Sequence, residues 1–291
     1  MRESARLRAS EIADLVETMS MLDVAKVRGM AAIEGRVRDL DPDIASIDGS
    51  IRLMQARQSV LGDAYPFGVT GGSVTRRIDL GQANPYVAML AMSPGTVMRE
   101  YMSPSDITTC AVSFEQLCEI AIRSLLGPDS QAVRFAWPSD SGRPPEFPKA
   151  IEWLAKRMGL ALGGGYLPPR RKDGGVDIVA WRSFGDKRTA FPVLLAQCTV
   201  QRDLLSKSAD IDAANWSRWL KLLREPATAI MSPSVVDGSG EHWIELAQRN
   251  IVLDRLRIAK LCHAQREEMP SGIQARVEGW LKSAEAALYR G

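Results

Sequence analysis

Lys172-Asp173-Gly174-Gly175-Val176-Asp177-Ile178-Val179-Ala180-Trp181, followed after a hydrophilic turn by Val193-Leu194-Leu195-Ala196-Gln197-Cys198, decides how the chain is read. Each apolar run has strand length and is bounded by turn residues, which predicts two strands pairing as a hairpin around residues 183–190. The first strand carries one acid, Asp177, in an apolar setting after a glycine pair; the second ends in an amide, Gln197. Alternation sets Asp177 on the face of Val179 and Trp181, and Gln197 on the face of Val193, Leu195 and Thr199. A hairpin then brings Asp177 and Gln197 together at one end of the sheet. An ionised carboxylate among apolar neighbours is costly unless a cation compensates it. The Asp177 carboxylate, the Gln197 amide oxygen and the Cys198 carbonyl offer hard oxygen ligands for Mg²⁺ or Mn²⁺, with water and phosphate completing the shell. Such a cation suits hydrolysis of a phosphodiester.

Working outward, Phe114, Leu117, Cys118, Ala121, Ile122, Leu125 and Leu126 step by three and four and end at Gly127-Pro128, which predicts a core-facing helix. Phe147, Ala150, Ile151, Leu154, Ala155 and Met158 repeat the pattern, with Gly159 as the cap. Beyond the strand pair, residues 215–224 read as helix, 228–231 as a short buried strand, and 242–262 and 272–289 as two further helices. Helices, a short mixed sheet and helices again make an α/β sandwich. Trp216 and Trp219, three apart beside Arg218 and Lys221, read as core or, more sharply, as a base-stacking pair.

Upstream, apolar residues recur at helical spacing over residues 10–37, predicting one long amphipathic helix. Asp41-Pro42-Asp43 breaks it, and Ile44, Ile47, Ile51, Met54, Val60 and Leu61 predict a second helix folding back as a hairpin. That hairpin serves packing or self-association with a protein partner; the sharper reading is a nucleic-acid clamp of Arg36, Arg38, Arg52 and Arg57. Residues 65–102 read as turns, with a possible strand at Tyr86-Val87-Ala88-Met89-Leu90. The domain expectation is an N-terminal helical region over 1–103 and an α/β domain over 104–291.

Composition narrows the chemistry. In 291 residues, 45% are hydrophobic, enough for a sizeable core and two folded units. Lys and Arg number 37 against 35 Asp and Glu, so any nucleic-acid surface must be a local patch. The turn Pro168-Pro169-Arg170-Arg171-Lys172 supplies one, with Arg170, Arg171 and Lys172 placed to pair with flanking phosphates. Four cysteines without a C-x-x-C pair argue against a zinc ribbon and a disulfide framework. Two histidines leave too little material for a His-based nuclease or a multi-His zinc hydrolase. No stretch approaches the roughly 18 uninterrupted apolar residues of a membrane span, so the expectation is a cytoplasmic protein with no membrane contact.

The order helix with Glu115, strand with Asp177 after Gly-Gly, then strand ending in Gln197-Cys198 resembles the restriction-endonuclease-like superfamily, the PD-(D/E)XK phosphodiesterases, over roughly residues 106–262. The same phrases are similar to bacterial proteins found with phage-defence systems. The resemblance implies a restriction-endonuclease-like α/β core behind the N-terminal hairpin, and a Mg²⁺-dependent endonuclease acting on DNA rather than RNA. It assigns metal binding to Asp177, the Glu/Gln position of the E-x-K half to Gln197, and the first-helix acid to Glu115. Thr199 departs from it, standing where the family has lysine. That lysine orients water and stabilises transition-state charge; Lys207 is the nearest substitute and Lys172 the second. The alternative is a catalytically degenerate module of this fold that binds nucleic acid or a partner protein.

Overall fold

A computed structural model of the chain describes residues 8–22, 27–40, 47–79, 82–100, 102–138, 141–169, 171–238, 240–265 and 269–289. In chain order the elements are α1 (Ala9–Leu22), β1 (Val27–Gly29), α2 (Met30–Leu40), α3 (Asp48–Leu61), β2 (Phe67–Val69), β3 (Ser73–Arg76), α4 (Pro85–Met92), α5 (Val97–Glu100) and α6 (Pro104–Leu126). They continue with β4 (Gln131–Arg134), α7 (Phe147–Met158), β5 (Ile178–Trp181), β6 (Val193–Cys198), α8 (Leu204–Ser208) and α9 (Ala213–Trp219). The last are β7 (Ala227–Met231), α10 (Glu241–Arg249), β8 (Ile251–Leu253), α11 (Arg255–Gln265) and α12 (Ser271–Tyr289). No helix among the described residues is long and apolar enough to cross a membrane.

The described residues divide into two compact units. One holds those up to Cys110, residues 233–235 and those from 269 on; the other holds 111–232 and 236–265. The expected boundary at 103–104 lies beside the start of α6, whereas the division by packing falls inside that helix, at Cys110. By packing, α12 also goes with the N-terminal helices, since it lies against α4, α5 and α1 and buries Ile273, Val277, Trp280 and Leu281.

In the first unit β1, β3 and β2 form an antiparallel sheet in that order. The long helix expected over residues 10–37 is two helices with β1 between them, because Val27–Gly29 pair with Ser73–Thr75. Ladder hydrogen bonds to β3 override a helical apolar period there. The residues that were to break and restart it, 41–46, lie outside the described residues; α3 packs on α1 as the fold-back expectation required. Tyr86–Leu90 is helical rather than extended. Asn84 caps α4 by accepting the Val87 N–H at 3.2 Å, Pro85 opens it, and the helix is buried all round, which erases the alternation that separates helix from strand.

Burial removes one arginine from the clamp reading; Arg52 is exposed, and the Arg36 side chain lies outside the described residues. Arg57 is not a surface cation: its Nη1 donates to Asp14 and Glu17 at 2.8 Å each, with the arginine side chain 4% exposed and Glu17 fully buried. Tyr65 and Tyr86 hydroxyls complete the Glu17 carboxylate at 2.6 and 2.8 Å. Arg38 pairs with Glu34 one helical turn away.

The second unit carries a five-stranded mixed sheet in the order β4-β5-β6-β7-β8. The β4–β5 and β5–β6 pairs are antiparallel, and β6–β7 and β7–β8 are parallel, joined by crossovers through α8–α9 and α10. This is an α/β fold with the expected hairpin at its centre. Every residue of β5 is buried, as are the first five of β6, so both read as continuous apolar runs, the signature of strands covered on both faces. On one side α7 lays Phe147, Ile151 and Leu154 into a core with Val179, Leu195, Trp216 and Trp219. Its end is as expected: Gly159 is left-handed at φ 68°, and its N–H caps the Ala155 and Lys156 carbonyls.

Three departures have packing causes. β4 fills the sheet edge, where four residues beside a turn were too short to register. The helix expected over 242–262 is interrupted by β8, whose Val252 and Leu253 are buried against β7. The helix expected over 215–224 stops at Trp219. Trp216 and Trp219 are core: their rings stack edge-on at 5.6 Å, Trp216 is fully buried, and its Nε1 donates to the Gly174 carbonyl. Truncating Arg57 to alanine strands the buried Glu17 carboxylate, and the unfolding free energy is expected to drop by about 3–5 kcal/mol in denaturant titrations.

Candidate functional site

The glycine pair sets the site's floor. Gly174 and Gly175 both have positive φ, 70° and 77°. A Cβ on Gly174 would stand 3.3 Å from the Phe147 and Trp216 rings, and one on Gly175 only 2.0 Å from the Asp210 carbonyl oxygen. Only glycine permits that approach of the α8–α9 connection to the start of β5. Asp173 Oδ1 accepts the Gly175 N–H at 2.9 Å and fixes the turn.

From this turn the chain enters the sheet. Ile178 pairs with Ala196, and Asp177 N–H also donates to the Ala196 carbonyl at 2.8 Å, so two residues address one partner in the manner of a β-bulge. The bulge interrupts the alternation expected to hold Asp177 on the face of Val179 and Trp181. One Asp177 carboxylate oxygen instead accepts the Cys198 N–H at 2.7 Å. Ile178–Ala196 is the last pair of the β5–β6 ladder, so Asp177, just before β5, and Gln197, near the end of β6, lie at the same end of the sheet. Within a strand a residue's N–H and C=O point to the same side, so the Cys198 carbonyl faces the side on which Asp177 holds its amide.

Asp177 is 8% exposed. Burial first, and then the nearby negative charge of Glu115, push its pKa up to about 8; Asp173 adds to the rise, while the Cys198 N–H and Lys207 oppose it. Gln197 is 9% exposed, and its Oε1 is buried with no hydrogen-bond partner. A buried acceptor left unmatched by protein groups can take a hydrogen bond from water or coordinate an ion.

Glu115 sits on α6 and takes Arg134 of β4 through Nε and Nη2 at 3.1 and 2.8 Å. Lys207, in the last turn of α8, lies 3.4 Å from Asp210 and exerts its field on Asp177. Lys172 instead lies over the Trp137 ring at 5.5 Å, and its carbonyl accepts a hydrogen bond from Arg143. Arg171 lies over Trp219 at 5.2 Å; Arg170 is outside the described residues. Thr199 is buried, and its hydroxyl caps the Gln201 N–H at 3.1 Å.

Sequence reasoning missed Arg134 and Cys118. A lone arginine within Ala132-Val133-Arg134-Phe135 was the signal for the first, since a cation in an apolar run needs a buried acid. Cys118 of α6 hydrogen-bonds Cys198, and burial pushes both thiols upward in pKa, so neither offers a thiolate. Among the described residues no group of three or more His, Cys, Asp or Glu is gathered to hold a metal. The Asp177 carboxylate, the Gln197 amide oxygen and the Cys198 carbonyl are oxygen donors at the same end of the sheet, the donor type that a hard cation keeping most of its water takes.

No family model, curated protein or solved structure matches the chain.

The raised Asp177 pKa has a stability signature. Above its ordinary value near 4 the unfolded carboxyl is ionised, while the folded one keeps its proton up to about 8, so metal-free stability falls as pH rises between those values and levels off above. Asp177→Asn retains an acceptor for the Cys198 N–H and removes the titration. Urea melts of the metal-free protein should find the variant matching the parent near pH 4 and exceeding it at pH 8.5.

Proposed function

We propose that the five-stranded unit is a metal-dependent nuclease of the restriction-endonuclease-like, PD-(D/E)XK type, hydrolysing phosphodiester bonds of DNA rather than RNA in a bacterial anti-phage defence system. The observation that carries this reading is the buried, unpartnered Gln197 Oε1, next in sequence to the amide that holds the buried Asp177 carboxylate. Support also comes from the element order: a helix bearing Glu115, a bulged strand entry bearing Asp177 and an adjacent strand bearing Gln197.

Asp177, Gln197 and the Cys198 carbonyl would hold Mg²⁺ or Mn²⁺. When bound there, the cation supplies Lewis-acid activation of a phosphodiester and lowers the pKa of water. Lys207 would orient the attacking water and offset charge on the reacting phosphate; in support, its field reaches Asp177, and its ammonium lies 3.4 Å from Asp210. Glu115 keeps the site negative while Arg134 anchors it to the sheet edge.

One observation favours a second reading, a degenerate module of this fold that binds nucleic acid or a protein without cutting. Thr199 occupies the lysine position and is buried, and Lys207 is already paired.

Incubating the full chain with labelled single- and double-stranded DNA and RNA in Mg²⁺, Mn²⁺ or EDTA decides between them. The nuclease reading expects metal-dependent cleavage that vanishes in Asp177→Ala and drops on the order of 10²-fold in Gln197→Ala and Lys207→Ala. Undiminished cleavage by Asp177→Ala would sink it. Binding without cleavage in every metal selects the second reading.

A further inference from the structure

A second feature of the five-stranded unit does not include Asp177, Gln197 or Cys198. A groove of about 460 Å³ is lined by Gly165, Tyr166, Arg171, Asn215, Arg218 and Trp219, among others. Its wall is a glycine turn fastened to α9. Gly163 N–H donates to the Trp219 carbonyl at 2.8 Å and Gly165 N–H to the Arg218 carbonyl at 3.2 Å. The Trp219 indole returns a hydrogen bond to the Tyr166 carbonyl at 2.9 Å. The approach is close enough that a Cβ on Gly163 would fall 1.7 Å from the Arg218 carbonyl oxygen. Backbone is therefore pinned on both sides of Tyr166, yet the Tyr166 side chain projects from it, leaving the residue 79% exposed. An aromatic ring held out by a fixed backbone loses little freedom when something stacks on it.

The charges around the ring are one-sided. Arg218 is exposed, and the Arg171 guanidinium lies over the Trp219 ring. Neither makes an ion pair with an acid among the described residues. The acid bordering the groove's helix, Asp212, is spent on capping: it accepts the Asn215 N–H and side-chain amide at 2.9 and 2.6 Å. A presented ring beside two uncompensated guanidiniums matches a nucleotide, with its flat base and anionic phosphate.

We infer that this groove binds single-stranded nucleic acid, with a base stacked on Tyr166 and neighbouring phosphates paired to Arg171 and Arg218. A duplex offers no free base face for the ring, so the strand is unpaired there. The inference rests on the nuclease reading for its substrate class and deepens it. Asp177 is the sixth residue after Arg171, which limits their Cα separation to roughly 21 Å at full extension. A strand seated in the groove thus has its following phosphates within a few nucleotides of the candidate cutting site.

Fluorescence anisotropy on the full chain, in EDTA to prevent cleavage, tests it with oligothymidine, oligouridine and a duplex of equal length. Either single strand should bind at least tenfold tighter than the duplex. Tyr166→Ala should weaken single-strand binding on the order of tenfold and leave duplex binding alone, while Tyr166→Phe binds as the parent does. Arg218→Ala should lower the slope of log affinity against log salt by about 0.7. Equal affinity for single strand and duplex, or full affinity in Tyr166→Ala, overturns the proposal. Cleavage is read in Mg²⁺ or Mn²⁺ and groove binding in EDTA, so a failed cleavage assay leaves the groove standing and a failed groove leaves the cleavage result untouched.

Discussion

The contact of Gly175 with the Asp210 carbonyl is the constraint on which the second unit's chemistry depends. Any side chain at Gly175 would enter the space of that oxygen, and the residue's φ of 77° is strained for all but glycine. Through this contact the α8–α9 connection closes over the entrance to β5. Lys207 and Asp210 thereby come to one side of Asp177, while the neighbouring Gly174 seats the same turn against the Phe147 and Trp216 rings. Core packing on one side and a polar cluster on the other are thus fixed by the same two residues.

Two buried carboxylates in this chain show how differently a fold can treat the same group. Glu17 is fully buried, but it receives an arginine and two tyrosine hydroxyls, a closed network in which the charge is met and the role is to hold helices together. Asp177 is buried almost as deeply and has one backbone N–H, with a second acid, Glu115, in its field. The Arg134 guanidinium close to that region is taken by Glu115. Burial without a cationic partner, and with Glu115 in its field, holds the Asp177 carboxyl protonated up to about pH 8, whereas the Glu17 charge is met.

The central hairpin was legible because its two strands are apolar throughout and separated by polar residues, so length and flanking glycines were sufficient evidence. Helices α6 and α7 were legible from a three-four spacing that ends at glycine. What could not be read had local signals contradicted by distant partners. Val27–Gly29 continue a helical period, yet β3 recruits them; Tyr86–Leu90 have no polar face to reveal their period; Ile251–Leu253 sit within a helical pattern and are drawn to β7. At the site, the sequence named Asp177 and Gln197 and their common end of the sheet. It missed the bulge, since a two-residue alternation presumes a regular ladder, and it missed that Glu115 is held by Arg134. Arg57 was misjudged because charge alone does not tell a surface patch from an internal pair.

The first unit is assembled from segments at opposite ends of the chain, with α12 packed against α4, α5 and α1. On the ribosome its early helices emerge long before the segment that covers them. The sheet of the second unit, complete once β8 has been made, can close first. Until α12 arrives, the side of α4 that it covers stands open, a window in which a nascent-chain chaperone has something to hold.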